Sequence, residues 1–224
     1  MIPLLRRGVV AAAVVLLSTS CAADDVIGDA AEAVTGVRAA GCGLTDQVGN
    51  GVLVYDGERT VIVTSAHTVA GASTITVEHG LQRADVDVLA IDPKIDLAVL
   101  SAPSWARPGR RLSSPTAEQR GRLAIWDPDG PVEVTDTTIT RLLQVTIEDI
   151  YVQGSHERQA FELDASIVRG DSGAPVVAGD GSILGVVYAR SRDRDGVAFA
   201  VSSDEIRTVV AAATTDPVDP GRCP

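Results

Sequence analysis

The chain has 224 residues, 45% of them hydrophobic, enough for one sizeable core or for two small barrels packed as one unit. Its formal charge of −11 and pI of about 4.6 oppose phosphate backbones, so nucleic acid is excluded as an expected partner. Aromatic residues make up only 3%, so the core must be built from Val, Ala, Leu and Ile, in short runs broken by Gly, Asp and Pro that favour strands.

Read from the start, Arg6 and Arg7 precede an apolar run at 9–17 and a small-residue stretch ending at Cys21. The run is shorter than the about 20 residues that span a bilayer, and the pattern predicts a signal peptide over 1–23. Two processing routes stand. Cleavage before Cys21 would make it a lipidated N-terminus and attach the protein to a membrane, although Ser18 occupies the position where such signals usually carry Leu. Cleavage after Ala23 would release an ordinary secreted chain. Both place the protein outside the cytoplasm, in the cell envelope or secreted. Residues 24–40 are rich in Ala and Asp without strand alternation and are expected to form a tether, with the folded domain at 41–223.

Export gives the cysteines meaning. Removing Cys21 from the free pool leaves Cys42 and Cys223, an even pair in an oxidising compartment, 181 positions apart. A bridge between them would stabilise the fold by about 5 kcal/mol on chain entropy; two unpaired buried thiols are the alternative.

Strand-like runs fall into two sets. The first occupies 51–55, 60–64, 73–78, 84–91 and 96–101. The second occupies 122–126, 132–141, 147–153, 160–164, 175–178, 183–190 and 197–202. Residues 103–119, with prolines and small polar residues, separate them as a linker. This pattern predicts a sandwich or barrels, one unit at about 41–103 and another at about 120–202, followed by a helix over about 203–213 with Ser202 or Ser203 as its cap.

Three segments carry chemistry. Gly170-Asp171-Ser172-Gly173-Ala174-Pro175 holds a serine between glycines before a short apolar strand, as a nucleophile on a tight turn requires; the N–H groups of Gly170 and Ser172 are the candidate oxyanion hole. The alternative is a plain glycine-rich turn. Thr64-Ser65-Ala66-His67 places an imidazole at the end of an apolar strand, where a structural histidine is equally compatible; His79 and His156 lie in polar stretches and read as solvated. Ile95-Asp96-Leu97-Ala98-Val99-Leu100 embeds a carboxylate in an apolar strand, where it needs a partner, unless it is a turn aspartate after Asp92-Pro93. An imidazole N–H would satisfy Asp96 and fix the tautomer for base catalysis. The order His, Asp, Ser, with spacings of 29 and 76 positions, suits a site at the seam of two units.

Together these three segments resemble the signatures of trypsin-like serine proteases, in their bacterial branch. Gly185-Val186-Val187-Tyr188-Ala189-Arg190 and Gly196-Val197-Ala198-Phe199-Ala200-Val201 are similar to the closing strands of that family. A cysteine before the first strand and one at the C-terminus resemble the actinobacterial periplasmic acid-resistance proteases. The resemblance covers about 42–223. It implies an all-β fold, the chymotrypsin-like double six-stranded β-barrel with a short C-terminal helix. It also implies hydrolysis of protein or peptide substrates through an acyl-enzyme, by His67, Asp96 and Ser172, with no metal or cofactor. No PDZ-type domain after the protease, and no bundle of membrane helices before it, is expected.

The family pattern places Ser166 at the base of the primary specificity pocket, with Arg169 and Arg190 near its walls. A preference for non-basic residues, with tolerance of acidic ones, is one reading; arginines solvated at the rim are the other. In animal trypsins the aspartate before the nucleophile pairs with a freed N-terminus; the partner of Asp171 here is open. Two further functions compete, a catalytically silent protease-like binding lipoprotein of the envelope and an esterase using the same triad.

Overall fold

The structure is a computed structural model that describes residues 30–224. The expected signal peptide at 1–23, with Cys21, and the first part of the expected tether lie outside the described residues.

The first half contains β1 (Val34–Ala40), β2 (Gln47–Tyr55), β3 (Thr60–Thr64), the short helix α1 (Ala66–Val69), β4 (Thr74–His79), β5 (Gln82–Val86), β6 (Val88–Asp92) and β7 (Leu97–Ser101). The second contains β8 (Arg120–Ile125), β9 (Glu133–Glu148), β10 (Ser155–Leu163), β11 (Pro175–Ala178), β12 (Ile183–Arg190), β13 (Ala198–Ser202) and the helix α2 (Ser203–Ala211). The first seven strands form one antiparallel sheet in the order β5-β4-β1-β2-β3-β7-β6. Its end strands, β5 and β6, are joined through Asp87 alone, so the sheet has to curl back on itself. Asp87 fastens that corner: its N–H donates to Ser101 Oγ at 3.0 Å and its carbonyl accepts from the Ser101 N–H at 2.8 Å. The remaining six strands close into a barrel, β10-β13-β12-β11-β8-β9. These two curled sheets make the chymotrypsin-like fold.

Strand parity explains why the apolar runs are continuous rather than alternating. In β2, Val52 and Val54 face the seam between the halves, while Leu53 enters the interior of the first. In β3, Val61 and Val63 face the seam and Ile62 the interior; in β7, Leu97 and Val99 against Ala98 and Leu100 do the same. From the other side β12 sends Ile183 and Val186 to the seam and Leu184 and Val187 into the second barrel, the alternation being offset by one residue where its register against β11 shifts. The helix α2, capped by Ser202 Oγ accepting from the Asp204 N–H at 3.2 Å, buries Ile206, Val209 and Val210 in the seam.

Three expectations need correction. The tether does not extend to 40: β1 pairs with β2 on one edge and β4 on the other, and Val34, Val37 and Ala39 are buried. Its Thr, Gly and Ala positions disguise the alternation, and Gly36 is needed because a Cβ there would stand 2.3 Å from the Trp126 ring of the second half. The 84–91 run is two strands bent at Asp87. The 132–141 and 147–153 runs belong to one 16-residue strand, β9, and to the tip of its hairpin with β10, where Asp149 Oδ1 accepts from the N–H groups of Tyr151 and Gln153. The 103–119 linker is tied to both halves: Arg110 exchanges backbone hydrogen bonds with Leu53 and Tyr55, and Arg111 and Ser113 bond to Ile183.

Cys42 and Cys223 form a disulfide, with Cα atoms 5.6 Å apart. It pins the C-terminal tail beside Gly71, where an added Cβ would stand 2.3 Å from the Cys223 backbone nitrogen. Replacing both cysteines by serine is expected to lower unfolding stability by about 5 kcal/mol, the entropy of a loop of 181 positions; urea denaturation of the purified variant measures it.

Candidate active site

The site begins where β3 ends. Its last residue, Thr64, leads through Ser65 into α1, which presents His67 at the rim of the first sheet. Asp96 stands opposite, in the turn before β7 rather than inside the strand, with a left-handed φ of 59° and 8% exposure. A residue other than glycine or asparagine held there is strained, and its carboxylate accounts for the placement. Asp96 Oδ1 accepts the backbone N–H of His67 at 2.9 Å, and the two carboxylate oxygens lie 3.0 and 2.8 Å from His67 Nδ1. Nδ1 is thereby committed to the carboxylate, which leaves Nε2 as the acid–base nitrogen. Burial pulls the imidazole pKa down; the hydrogen bond and charge of Asp96 outweigh it, so the net displacement is upward, while the positive charge of Arg158 works against that rise.

Ser172 lies between β10 and β11, on a loop held by the first half. A Cβ on Gly49 of β2 would stand 2.9 Å from Thr68 Cγ2 and 3.1 Å from the Ser172 carbonyl oxygen, so the residue after His67 and the backbone of Ser172 are near neighbours across this glycine. Asn50, next in β2 and fully buried, is the clasp that sequence reading missed. Its N–H donates to the Ser172 carbonyl at 2.7 Å, its Nδ2 to the Gly170 carbonyl at 2.9 Å, and its Oδ1 accepts the Trp126 N–H at 2.7 Å. Gly173 (φ 89°) touches it so closely that a Cβ would lie 1.9 Å from the Asn50 carbonyl oxygen. Gly170 (φ 104°) has open space on its Cβ side; conformation, not crowding, calls for glycine there. The signal for Asn50 was the Gly49-Asn50-Gly51 triplet, a lone polar residue between two glycines in an apolar strand.

Asp171 finds its partner within the loop. Its Oδ2 accepts the Val168 N–H at 2.6 Å, and burial pushes its carboxyl pKa up, against that bond and with help from the charge of Glu133.

Ser166 and Arg190 line a common cavity of about 290 Å³ with Val168, Ser191 and Arg194; Arg169 does not line it. Arg194, not anticipated from sequence, is anchored there. It and Arg141 donate to the carboxylate of Glu162, itself 4% exposed, which also accepts from Thr140 Oγ1 at 2.8 Å. His79, expected in solvent, instead has Nδ1 2.9 Å from the Val34 carbonyl.

The family of trypsin-like peptidase domains matches residues 49–186. Serine protease Rv3671c of Mycobacterium tuberculosis is 28% identical over 168 residues, covering 72% of this chain and 42% of that protein. Human serine protease HTRA4 is 31% identical over 168 residues, covering 73% and 34%. The chain thus spans less than half the length of these relatives. Among solved structures, the active form of the Rv3671c protease superposes with a TM-score of 0.80 at 24% identity, covering 100% of this chain and 98% of that one. A serine endoprotease from Yersinia pestis gives 0.68 at 22% identity, covering 87% and 66%.

Two outcomes follow from this geometry. Asn50→Ala leaves the Gly170 carbonyl and the Trp126 N–H without partners and is expected to cost roughly 2–4 kcal/mol in a denaturant titration. Arg194 and then Arg141 hold the Glu162 carboxyl down at about 2, from an ordinary 4.5. In that window the unfolded chain binds the proton and the folded one does not, so stability present above about 4.5 should drain away as pH falls towards about 2. Glu162→Gln should flatten that limb of a thermal-stability profile against pH.

With the match spanning well over half of its length and the fold in agreement, the chain belongs to the trypsin-like peptidase domain family.

Proposed function

We propose that this protein is an exported serine endopeptidase acting on protein or peptide substrates through a His67–Asp96–Ser172 triad. The observation that carries the reading is the His67–Asp96 pair, with Nδ1 engaged at 2.8 Å and Nε2 left over, in a chain of this family. Ser172 Oγ attacks the scissile carbonyl while its proton passes to His67 Nε2. The oxyanion is received by the N–H groups of Gly170 and Ser172. His67 returns the proton to the leaving amine, an acyl-enzyme remains, and water, deprotonated by the same nitrogen, releases the acid and restores Ser172. Asp96 stays ionised throughout and stabilises the imidazolium.

The leader at 1–23 supports export, with lipid on Cys21 or free secretion as its two endpoints. The Ser166 cavity carries Arg190 and the anchored Arg194 against a single carboxylate, Asp195; that excess of positive charge supports a preference for non-basic side chains and tolerance of acidic ones. Nothing in the site favours a silent binding lipoprotein or an esterase.

The first test is labelling of the purified protein with a fluorophosphonate probe. Modification confined to Ser172, and abolished in Ser172→Ala, is the expected result; a folded wild-type protein that takes no label overturns the reading. Ser172→Ala and His67→Ala should each reduce kcat by roughly 10⁴–10⁶, and the double variant little further, because the groups act as a unit. Cleavage of a peptide library mainly after Lys or Arg would refute the pocket assignment.

A further inference from the structure

Behind the His67–Asp96 pair lies a cation that the triad chemistry does not call for. Arg158 of β10 belongs to the second barrel, yet its side chain is 1% exposed. Its Nη1 donates to the carbonyl of Ile95, the residue before Asp96, and its guanidinium stacks 3.7 Å from the centre of the Tyr188 ring. Those partners are a backbone carbonyl and an aromatic face, not a carboxylate, and Nε has no partner among the described residues. A buried cation so sparsely compensated is costly, and an apolar side chain of the same length would fill the space at less expense. Its placement therefore calls for an explanation beyond packing.

The surroundings supply one. A cavity of about 270 Å³ is lined by His67, Asp96, Glu148, Ile150, Arg158 and Tyr188. Asp96 has a left-handed φ, and among the described residues the inter-barrel hydrogen bonds to its turn come from the β9–β10 hairpin: the Ile150 N–H donates to the Pro93 carbonyl at 3.1 Å, and Arg158 to Ile95. The hairpin tip is steadied by the C-terminal tail, where Tyr151 Oη donates to the Arg222 carbonyl at 3.1 Å and Arg222 stacks on the Tyr151 ring.

We infer that Arg158 is a positioning residue for the acid–base pair: reaching across from the second barrel, it fixes the Asp96 turn and places a permanent positive charge behind His67. A positive charge there disfavours the imidazolium and so keeps His67 available as a base further into acid than Asp96 alone would allow; the opposing effects of Asp96 and Arg158 on the imidazole agree with this. The other charged or titratable groups facing His67 are few. Glu148 and Tyr188 share the cavity. Of the strands packed on α1, β2 and β7 carry no charged side chain, and the single charge of β1, Arg38, is engaged by Glu78 at 2.9 Å. His156 and Asp149 face each other at 3.8 Å on the hairpin.

The consequence for catalysis rests on the peptidase reading; the test of Arg158 does not. The His67 imidazole is titrated by NMR in the purified protein, whose only other histidines are His79 and His156, with His67→Gln for assignment. In Arg158→Met the His67 midpoint is expected to move up. In Arg158→Lys, which keeps the charge, it should stay close to wild type. Arg158→Gln, which retains a donor for Ile95, carries the expectation of Arg158→Met and replaces it where methionine is not tolerated. With a peptide substrate, the acid limb of kcat/KM should move up in step in both neutral variants, and in Arg158→Met, which has no donor for Ile95, the plateau should also fall roughly 10–100-fold as Asp96 loses its fixed position. An unchanged His67 midpoint in a folded neutral variant overturns the proposal, as does failure of both neutral variants to fold, which would assign Arg158 to folding alone. A wild-type protein that shows the Arg158-dependent titration but no label on Ser172 counts against the peptidase reading and leaves this one standing.

Discussion

Everything at the site depends on how closely β2 approaches the loop that carries Ser172. Two halves with separate interiors meet along an apolar seam, but van der Waals contact between Val and Ile side chains does not fix a register to a fraction of an ångström. Directional bonds do. Asn50 supplies three of them from one buried residue, two to the serine loop and one to the backbone of Trp126, and the glycines around it let the chains come within hydrogen-bond reach. Thr64 Oγ1, three residues before His67, donates to the carbonyl of this same Asn50 at 2.7 Å, so the strand that delivers the histidine and the loop that delivers the serine share one anchor.

Charge is distributed with the same economy. Among the described residues, Asp96, Arg158, Glu162 and Asp171 are charged side chains taken almost wholly out of water. Each is bonded differently. Asp96 has the histidine and a backbone N–H; Glu162 has two arginines and a hydroxyl; Asp171 has one N–H; Arg158 has a carbonyl and a ring. The consequences diverge in sign. Glu162 is held ionised far into acid, whereas burial makes Asp171 easier to protonate. Electrostatic support of the barrel and of the serine loop therefore responds to acid in opposite directions within one small region.

What the sequence revealed and what it hid follow from the range of the interactions. His67, Asp96 and the Gly170–Pro175 loop sit in local patterns of strand end, turn and flanking glycine, and a reader of one chain can see them. The Val-rich runs were legible as strands because burial on both faces leaves them uniformly apolar. β1 was not, because a strand of Thr, Gly, Arg and Ala becomes recognisable only once Trp126 and the flanking strands are in place around it. For Asp96 the local pattern leaves a strand position and a turn after Asp92-Pro93 both open; the structure takes the turn, and nothing local announces its left-handed φ. Arg158 and Asn50 were missed for a related reason: each is one polar residue in a strand, and its partners are 63 positions away in one case and 120 in the other. Arg158, Ala160 and Glu162 share the face of β10 opposite Phe161 and Leu163, which fill the barrel interior, so the buried charge of Arg158 has to be explained by what lies outside that barrel.

The serine loop also bears on how such a site is held in shape without a cation at its aspartate. Asp171 is bound inside its own turn by the Val168 N–H, and its backbone carbonyl accepts the Ala174 N–H at 3.0 Å. On either side, the Gly173 N–H donates to the Val187 carbonyl at 2.8 Å and Asn50 takes the carbonyls of Gly170 and Ser172. These are neutral bonds or bonds to a single carboxylate, all within hydrogen-bond geometry. The carbonyls of Gly170 and Ser172 are thus both held by Asn50, and the proposed oxyanion hole of the Gly170 and Ser172 N–H groups would form on the turn so fixed. An ion pair at Asp171 would add a second constraint on a loop already fixed from three directions, so the preorganisation of this site is a property of β2 and β12 rather than of a salt bridge.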